Sequence, residues 1–411
     1  MHFHVHAAQI FATVAWLLAA AWLWKGTTAL LGLPTLPDLS RIDPATLPPI
    51  PENTGPDLTV IVPARDEEVA IEACLRSLIA STGLRLQIIA VDDRSTDRTG
   101  QRMDAIAAEA RAENSPHLFG VIHITDLPER WLGKPHALAI GADCAAAPWI
   151  LFTDGDVLFG SRALELALRE ATALSADHMV LAPTLIFRSV GERAVFGAMQ
   201  AMAMWMVRLW KVADPRARDS MGAGGFNMIR RSVYHQIGGF DALRLEILED
   251  VFLAMRVKHA SFAQRFILGP NLVRLRWIHG TFGVIQLIEK NGFAIARFRI
   301  WLHLLACLGA LIDAVVPLAA IISGRWNMAA GLLTYVGIGF SYHASRRITR
   351  VSAWYALAFA PSALLVGWAL LRSMLLTLVR GGVLWRGTLY PLKELRRAAR
   401  RRTPYQSKRE R

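Results

Sequence analysis

The sequence is poor in cysteine and in charged residues. Its three cysteines, Cys74, Cys144 and Cys307, form no CxxC pair. The sequence therefore indicates neither a disulfide framework nor a zinc site, and a reducing compartment is compatible with it. Charged residues make up 19% of the chain against 53% hydrophobic residues, with a mean hydropathy of +0.32. This composition excludes an ordinary wholly soluble protein and fits a globular domain combined with membrane segments.

The N-terminal region lacks a signal-peptide pattern. An apolar run covers residues 7–33, broken by Lys25, and no small-residue cleavage site with a polar mature start follows it. We predict an uncleaved membrane anchor at residues 1–35. Residues 36–57 carry six prolines and read as a linker.

From residue 58 onward, short apolar runs alternate with segments of helical spacing. The predicted strands lie at 58–64, 86–93, 120–124 and 149–156, and the predicted helices at 68–80, 98–112 and 134–147. This alternation predicts an α/β domain at residues 58–280, with a mostly parallel sheet covered on both faces. In such sheets ligands bind beyond the carboxyl ends of the strands.

The later half of the chain contains further apolar segments. Residues 191–213 mix apolar residues with Glu192, Arg193, Arg208 and Lys211, and predict an amphipathic helix lying on the membrane; a buried core helix is the alternative. A second interfacial helix is predicted at 281–299. Transmembrane segments are predicted within 300–380, near 300–322, 328–344 and 354–376.

Basic residues indicate which side of the membrane the segments between the spans face. The stretch at 345–350 favours the cytoplasm, as does the basic tail at 381–411, but a full span at 354–376 would separate the two. The sequence leaves this conflict open. Residues 393–411 alone carry nine basic and two acidic residues. Such a block attracts anionic lipid headgroups by about 1 kcal/mol per basic residue; nucleic acid is the alternative partner.

Acidic residues end two of the predicted strands. Asp154-Gly155-Asp156 follows the apolar run WILF, and two carboxylates so spaced can hold one divalent cation, Mg²⁺ or Mn²⁺, together with a diphosphate. Asp92-Asp93 ends LQIIAVDD and suits hydrogen bonding to a base or ribose, although an exposed turn would also explain it.

Three other features add candidate site residues. Lys134 could hold a phosphate as a point charge. The glycine-rich loop with Gly224 and Gly225 would let a backbone approach a ligand closely, or is an ordinary turn. The acids Glu249-Asp250 precede a helical pattern, so they offer a general base, helix capping, or both.

Taken together, these segments resemble the family 2 glycosyltransferases, especially the membrane-bound branch with ceramide glucosyltransferases and hopene-associated glycosyltransferases. The ordered matches are VIVPARDEE (60–68), VDDRSTDRTG (91–100), GKPHALAIGA (133–142), FTDGD (152–156), GAGGFNMIRR (222–231), GGFD (238–241) and LEDVFLAMRVK (248–258). The resemblance implies a GT-A fold and an inverting, single-displacement transfer from a nucleotide-sugar, with a UDP-sugar expected.

The resemblance also implies roles for individual residues. The nucleotide-binding residues would be Pro63, Arg65, Glu67, Asp92 and Asp93, with Lys134 and Asp154 also on the donor. Asp154 and Asp156 would hold the metal, and Asp250 would deprotonate the acceptor hydroxyl. Gly224, Gly225, Glu249, Arg276 and Trp277 would lie on the acceptor side. The Q/RxxRW motif of processive members is incomplete, because Val273 occupies its first position.

The preferred function is transfer of one sugar to a membrane lipid, by an integral protein of the inner or plasma membrane with a cytoplasmic catalytic domain. Nucleic acid is not expected as a partner. The alternatives are a processive polysaccharide synthase, a catalytically inactive scaffold of the same fold, and a nucleotidyltransferase. A synthase needs a protein-lined path through lipid, for which three or four spans are few.

Overall fold

The computed structural model describes residues 2–52 and 54–400, without the side chains of residues 2–5 and 325. The chain forms two compact units, each described here by itself. The sheet unit comprises Pro37–Ile186, Lys211–Arg276 and Arg386–Arg411, and the helical unit comprises Met1–Leu36, Phe187–Trp210 and Trp277–Trp385. The predicted basic tail lies partly at 401–411, outside the described residues.

The described residues contain strands and helices in the following order along the chain. The strands are β1 (Leu58–Ala64), β2 (Leu86–Asp93), β3 (Leu118–Ile124), β4 (Trp149–Phe152), β5 (Val157–Phe159), β6 (His178–Ala182), β7 (Thr184–Leu185), β8 (Asn227–Arg230), β9 (Gln264–Leu268), β10 (Val273–Leu275), β11 (Gly382–Trp385) and β12 (Thr388–Pro391). The helices are α1 (His2–Gly32), α2 (Ile71–Ile79), α3 (Thr99–Ala112), α4 (Gly133–Asp143), α5 (Ala163–Ala173), α6 (Val190–Ala203), α7 (Arg231–Gln236), α8 (Glu249–His259), α9 (Gly283–Ile295), α10 (Ile300–Ile322), α11 (Arg325–Thr349), α12 (Phe359–Val379) and α13 (Leu392–Arg400).

A seven-stranded sheet forms the centre of the sheet unit. Its strand order is β3-β2-β1-β4-β8-β6-β9, and only β8 runs antiparallel to its neighbours. A smaller sheet has the order β5-β10-β7. The predicted α/β fold with a mostly parallel sheet is confirmed.

Both faces of the large sheet are covered, which explains why its central strands are apolar throughout. Val60 and Val62 belong to a core on one face that includes Leu75 of α2. Ile61, between them, belongs to the core on the other face with Leu138 of α4. Because successive side chains of a strand point to opposite faces, every position of β1 needs an apolar residue.

The helical unit contains three helices that are long and apolar enough to cross a membrane. They cover His6–Thr35, Ile300–Ile322 and Ala353–Val379. Large apolar side chains on them are exposed, among them Leu17, Trp24 and Trp301, as expected for surfaces that face lipid. Within the described residues, α11 does not qualify as a span, although the sequence predicted a transmembrane segment near 328–344.

Close backbone approach joins α1 to α11. A Cβ on Gly337 would lie 2.4 Å from the carbonyl carbon of Trp22, and one on Gly26 would lie 2.3 Å from the carbonyl oxygen of Gly337. Small residues at such crossings let helix backbones touch, which is how helices associate where lipid removes the hydrophobic driving force.

The helix predicted at 191–213 is shorter in the structure. Helix α6 ends at Ala203, and only a short 3₁₀ turn follows at Leu209–Lys211. Its start is fixed by a capping box in which the Ser189 hydroxyl accepts from the Glu192 N–H at 3.1 Å and the Glu192 carboxylate accepts from the Ser189 N–H at 3.2 Å. The same carboxylate accepts from the Gly280 N–H at 2.7 Å.

Candidate active site

The acids that follow separate strands come together at one edge of the large sheet. Asp154 follows β4, and Asn227 begins the antiparallel β8 beside it, so both lie at the same edge. The first turn of α4 brings Lys134 there, and the first turn of α8 brings Glu249 and Asp250. These side chains line one small cavity of about 10 Å³, roughly the space that one water occupies.

Lys134 is the centre of this cluster. Its Nζ lies 2.5 Å from Oδ1 of Asp154 and 2.6 Å from Oε1 of Glu249. Burial lowers the pKa of the Lys134 ammonium, but Asp154, Glu249 and Asp250 outweigh burial and the net shift is upward. Lys134 is therefore a permanent cation that joins the DGD segment to the acidic pair of α8.

Glycine in the loop before β8 allows the close approach. The Asp154 N–H donates to the Gly224 carbonyl at 3.0 Å. A Cβ on Gly224 would lie 2.5 Å from Oδ2 of Asp154, and a Cβ on Gly222 would lie 2.0 Å from the Asp250 carbonyl oxygen. Gly225 accepts from the Thr153 hydroxyl at 2.9 Å, but a Cβ on it would meet only ordinary contacts. The position of Gly222 thus has no room for a side chain, a requirement that the sequence prediction missed.

The environment of Asp250 suits a base that works near neutral pH. Burial raises the pKa of its carboxyl to about 6, with Glu249 adding to the rise and Lys134 opposing it. Its Oδ1 accepts from the Val251 N–H at 2.8 Å, which fixes the carboxylate at the start of α8. Burial also raises the pKa of Asp156, to about 7, and the charges of Asp154 and Glu67 add to this.

A buried polar network behind Asp250 was not predicted. The Asn227 amide donates to the Asp250 carbonyl at 3.3 Å, and its side-chain oxygen contacts Nε2 of His178. Gln264 donates to Nδ1 of His178 at 3.0 Å and accepts from the Met221 N–H at 3.1 Å. The network thereby connects α8 to the glycine-rich loop through β6, β8 and β9. Its residues lie inside apolar strands, where no local pattern indicates a partner.

This network predicts a pH dependence of stability. His178 is fully buried, and burial lowers its pKa from 6.5 to about 4. Below pH 6.5 His178 is protonated in the unfolded chain, but in the folded chain it stays neutral until the pH approaches 4. The free energy of unfolding therefore decreases as the pH falls through this window, by on the order of 3 kcal/mol. Thermal unfolding of the wild type should therefore respond more steeply to pH between 4 and 6.5 than that of His178→Gln. Parallel curves for the two proteins would contradict the prediction.

The residues predicted to bind the nucleotide lie at the ends of β1 and β2. Pro63 is buried in β1. Oδ2 of Asp92 lies 3.1 Å from Nδ1 of His123, and Asp93 pairs with Arg94 at 2.8 Å. Arg65 donates to the Thr388 hydroxyl at 3.2 Å, and Glu67 pairs with Arg386.

The predicted acceptor-side residues divide between the units. Gly224, Gly225 and Glu249 lie at the cluster, whereas Arg276 follows β10 and Trp277 already belongs to the helical unit. Trp277 is 44% exposed and its ring packs edge-on against Phe196 of α6, with 6.1 Å between ring centroids.

Asp154 and Asp156 would hold a divalent cation together with a bound diphosphate. Among residues 2–52 and 54–400, no group of three or more histidine, cysteine or acidic side chains is arranged to hold a metal ion by itself. Asp154 and Asp156 supply carboxylate oxygens, and the raised pKa of Asp156 marks negative charge that a cation would compensate. This donor set fits Mg²⁺ or Mn²⁺ when a diphosphate completes the coordination.

Residues 59–252 match the family described as glycosyl transferase family 2. This segment, a little under half of the chain, is identified with that family. The matched range contains the Asp154 and Asp250 segments, so the cluster around Lys134 lies in the part of the chain that matches glycosyltransferases. The enzyme class predicted from the sequence agrees with this match.

Several known proteins are similar to this chain. The 4,4'-diaponeurosporenoate glycosyltransferase of Staphylococcus aureus (strain USA300) is 27% identical over 233 residues, which cover 56% of this chain and 58% of that protein. The chain thus matches little more than half the length of this relative. The protein of S. aureus strain bovine RF122 / ET3-1 with the same name is 27% identical over 196 residues, 47% of this chain and 48% of that protein.

Among solved structures, the mannosyltransferase PcManGT from Pyrobaculum calidifontis in complex with GDP-Man and Mn²⁺ is 17% identical, over 90% of this chain and 99% of that chain, with a TM-score of 0.47. S. aureus TarS 1-349 in complex with UDP-GlcNAc is 14% identical, over 81% and 95%, with a TM-score of 0.38.

Proposed function

We propose that this glycosyltransferase moves one sugar from a nucleotide-sugar, a UDP-sugar in our expectation, to a membrane lipid, with inversion at the anomeric carbon and with Mg²⁺ or Mn²⁺. The observation that carries the proposal is Asp250, half-buried beside Lys134, which in turn contacts Asp154 of the DGD segment. A base, a fixed cation and paired carboxylates are the groups that a direct displacement of a nucleoside diphosphate requires.

In the proposed mechanism Asp250 accepts the proton of the acceptor hydroxyl as its oxygen bonds to the anomeric carbon. The bond from that carbon to the diphosphate oxygen breaks in the same step. Asp250, with a pKa of about 6, is largely ionised at neutral pH yet still basic enough to take the proton. Lys134 holds Asp154 and Glu249 in place and places a positive charge beside the leaving group. A cation bound to Asp154 and Asp156 would neutralise charge on the departing diphosphate.

A lipid acceptor is supported by the helical unit and by the S. aureus relatives. Three helices of the described chain could cross a membrane, which indicates membrane association. The relatives are named for 4,4'-diaponeurosporenoate, a carotenoid. We propose a hydrophobic acceptor of this general kind, reached from the cytoplasmic side of the inner or plasma membrane. The basic residues of the 345–350 stretch, at the end of α11, favour that side.

Metal removal should abolish transfer. Without a cation, Asp154 and Asp156 would repel the diphosphate instead of binding it. With EDTA we expect release of nucleoside diphosphate to fall to the background rate, and excess Mn²⁺ or Mg²⁺ to restore it. Ca²⁺, which prefers more ligands at longer distances, should restore less. Full turnover in EDTA would contradict the metal assignment.

The acceptor can be identified from cells. Lipid extracts of cells that produce the wild type or Asp250→Asn are compared by mass spectrometry. We expect the wild type alone to accumulate a lipid heavier by one sugar residue, with loss of the unglycosylated form. Long glycan polymer without such a lipid would favour a processive synthase, and identical extracts would favour an inactive scaffold.

A further inference from the structure

The last described part of the sheet unit contacts the nucleotide edge of the sheet. We call residues Arg386–Tyr390 the C-terminal strap. Arg386 pairs with Glu67, and the Thr388 hydroxyl accepts from Arg65 Nη1 at 3.2 Å. The Tyr390 hydroxyl accepts from the Gly133 N–H at 3.2 Å. A strap of five residues therefore contacts residues that follow β1 and the first residue of α4.

The partners of the strap surround the place where the donor is proposed to bind. Gly133 directly precedes Lys134, and a Cβ on Gly133 would lie 2.2 Å from Oδ2 of Asp93. Tyr390 also interacts with Arg94, the ion-pair partner of Asp93. The strap thus contacts residues beside β1, β2 and α4, all of which border the proposed donor site.

The negative charge at this edge of the sheet attracts the Arg386 guanidinium. Glu67 adds negative charge at the Asp156 carboxyl, so an incoming diphosphate meets an acidic surface. Arginine binds phosphate oxygens through two parallel N–H donors. Arg65 Nε is buried without a hydrogen-bond partner and lies 3.9 Å from Oδ2 of Asp66, and the side chain is 17% exposed. Together, Arg65 and Arg386 can offer guanidinium donors to a diphosphate on the Glu67 side of the crevice.

The backbone holds Arg386 in an uncommon conformation. Its φ is +45°, in the left-handed region, and Gly387 follows with a φ of +75°. A non-glycine residue in this region is strained and persists where its surroundings impose it. Tyr390, 6% exposed, and the buried Leu392 and Leu395 anchor the chain just beyond.

The strap lies beside open space. A cavity of about 200 Å³ lies between Thr388 and Tyr390 on one side and the loop that carries Trp131 on the other. The Arg386 side chain is 33% exposed, so it can turn from Glu67 toward a ligand by side-chain rotation alone.

We propose that the C-terminal strap is part of the donor site and that Arg386 binds the diphosphate of a nucleoside diphosphate, exchanging Glu67 for it. Thr388 and Tyr390 are positioning residues that hold Arg65 and the strap. This inference rests on the proposed function, because it assumes that a nucleotide-sugar binds at this edge.

The test measures binding of UDP and of GDP, each with Mn²⁺, to the full-length protein in lipid nanodiscs by calorimetry. The variants are Arg386→Gln, Tyr390→Phe and, as a charge-matched control, Arg111→Gln at an exposed position late in α3. Loss of one charge-assisted contact to phosphate should weaken binding at least tenfold in Arg386→Gln and a few-fold in Tyr390→Phe. Arg111→Gln should stay within twofold of the wild type. In transfer assays Arg386→Gln should raise the donor KM and leave the acceptor KM unchanged.

The possible failures are distinguishable. Wild-type affinity in Arg386→Gln, or tighter binding, overturns the strap proposal alone, since tighter binding would mean that Arg386 blocks the site. Equal weakening in Arg111→Gln would mean a general charge effect and would overturn it as well. A wild type that binds neither nucleotide contradicts the proposed function itself. Thermal unfolding of each variant, which should match the wild type, excludes misfolding as the cause of weaker binding.

Discussion

The Asp250→Asn variant is expected to lose sugar transfer by roughly 10²–10⁴-fold, the range that a general base contributes. The substitution removes the proton acceptor but keeps the side-chain oxygen that accepts from the Val251 N–H. Because the asparagine amide is neutral, the substitution places no unpaired charge beside Glu249 and Asp154. The variant should therefore fold normally.

A measurement of nucleotide binding distinguishes loss of the base from disruption of the whole site. The affinity for nucleoside diphosphate with Mn²⁺ should stay within a few-fold of the wild type, since Asp250 is not proposed to contact the donor phosphates. Asp126→Asn, an exposed acid in the loop after β3, serves as the matched control and should retain full turnover. Retained transfer in Asp250→Asn would remove Asp250 from the role of base.

The Lys134→Met variant is expected to lose both stability and activity. Lys134 lies between Asp154 and Glu249 at 2.5 Å and 2.6 Å, so the change leaves two carboxylates facing each other without a cation. Removal of one partner from a buried ion pair costs about 3–5 kcal/mol. Lys134 also opposes the rise in the Asp250 pKa, so its loss would leave less of the base ionised at neutral pH.

A double variant tests this explanation. Glu249→Gln removes one of the two carboxylates, so Lys134→Met with Glu249→Gln should recover part of the lost unfolding free energy. Transfer should stay low in the double variant because the cation beside Asp154 is still missing. If the single variant unfolds like the wild type, or if the double variant regains transfer, Lys134 is not the cation that compensates Asp154 and Glu249 and supports transfer.

The features that the sequence predicted well are those that depend on local pattern. Strands β1, β2 and β4 are uniformly apolar because both faces of the sheet are covered, and short apolar runs report this directly. The carboxyl ends of parallel strands share an edge, so acids that follow β2 and β4 could be placed there from the sequence.

The features that the sequence could not predict depend on contacts between distant segments. The pairing of Lys134 with Glu249 and the chain from Asn227 through His178 to Gln264 have no periodic signature. The end of α6 at Ala203 was missed because the residues that follow stay apolar, and hydrophobic spacing cannot show where a helix stops. The contact of Arg386 with Glu67 likewise joins segments that are far apart in the chain.

The central claim is that the acids around Lys134 transfer a sugar from a nucleotide-sugar to a lipid. The most direct measurement incubates the purified full-length protein in nanodiscs with labelled nucleotide-sugars, Mn²⁺ and extracted membrane lipids. We predict label in a lipid-soluble product that carries a single sugar, for the wild type and not for Asp250→Asn. Label that stays on the nucleotide with every donor, or that enters the lipid equally in both proteins, would contradict the claim.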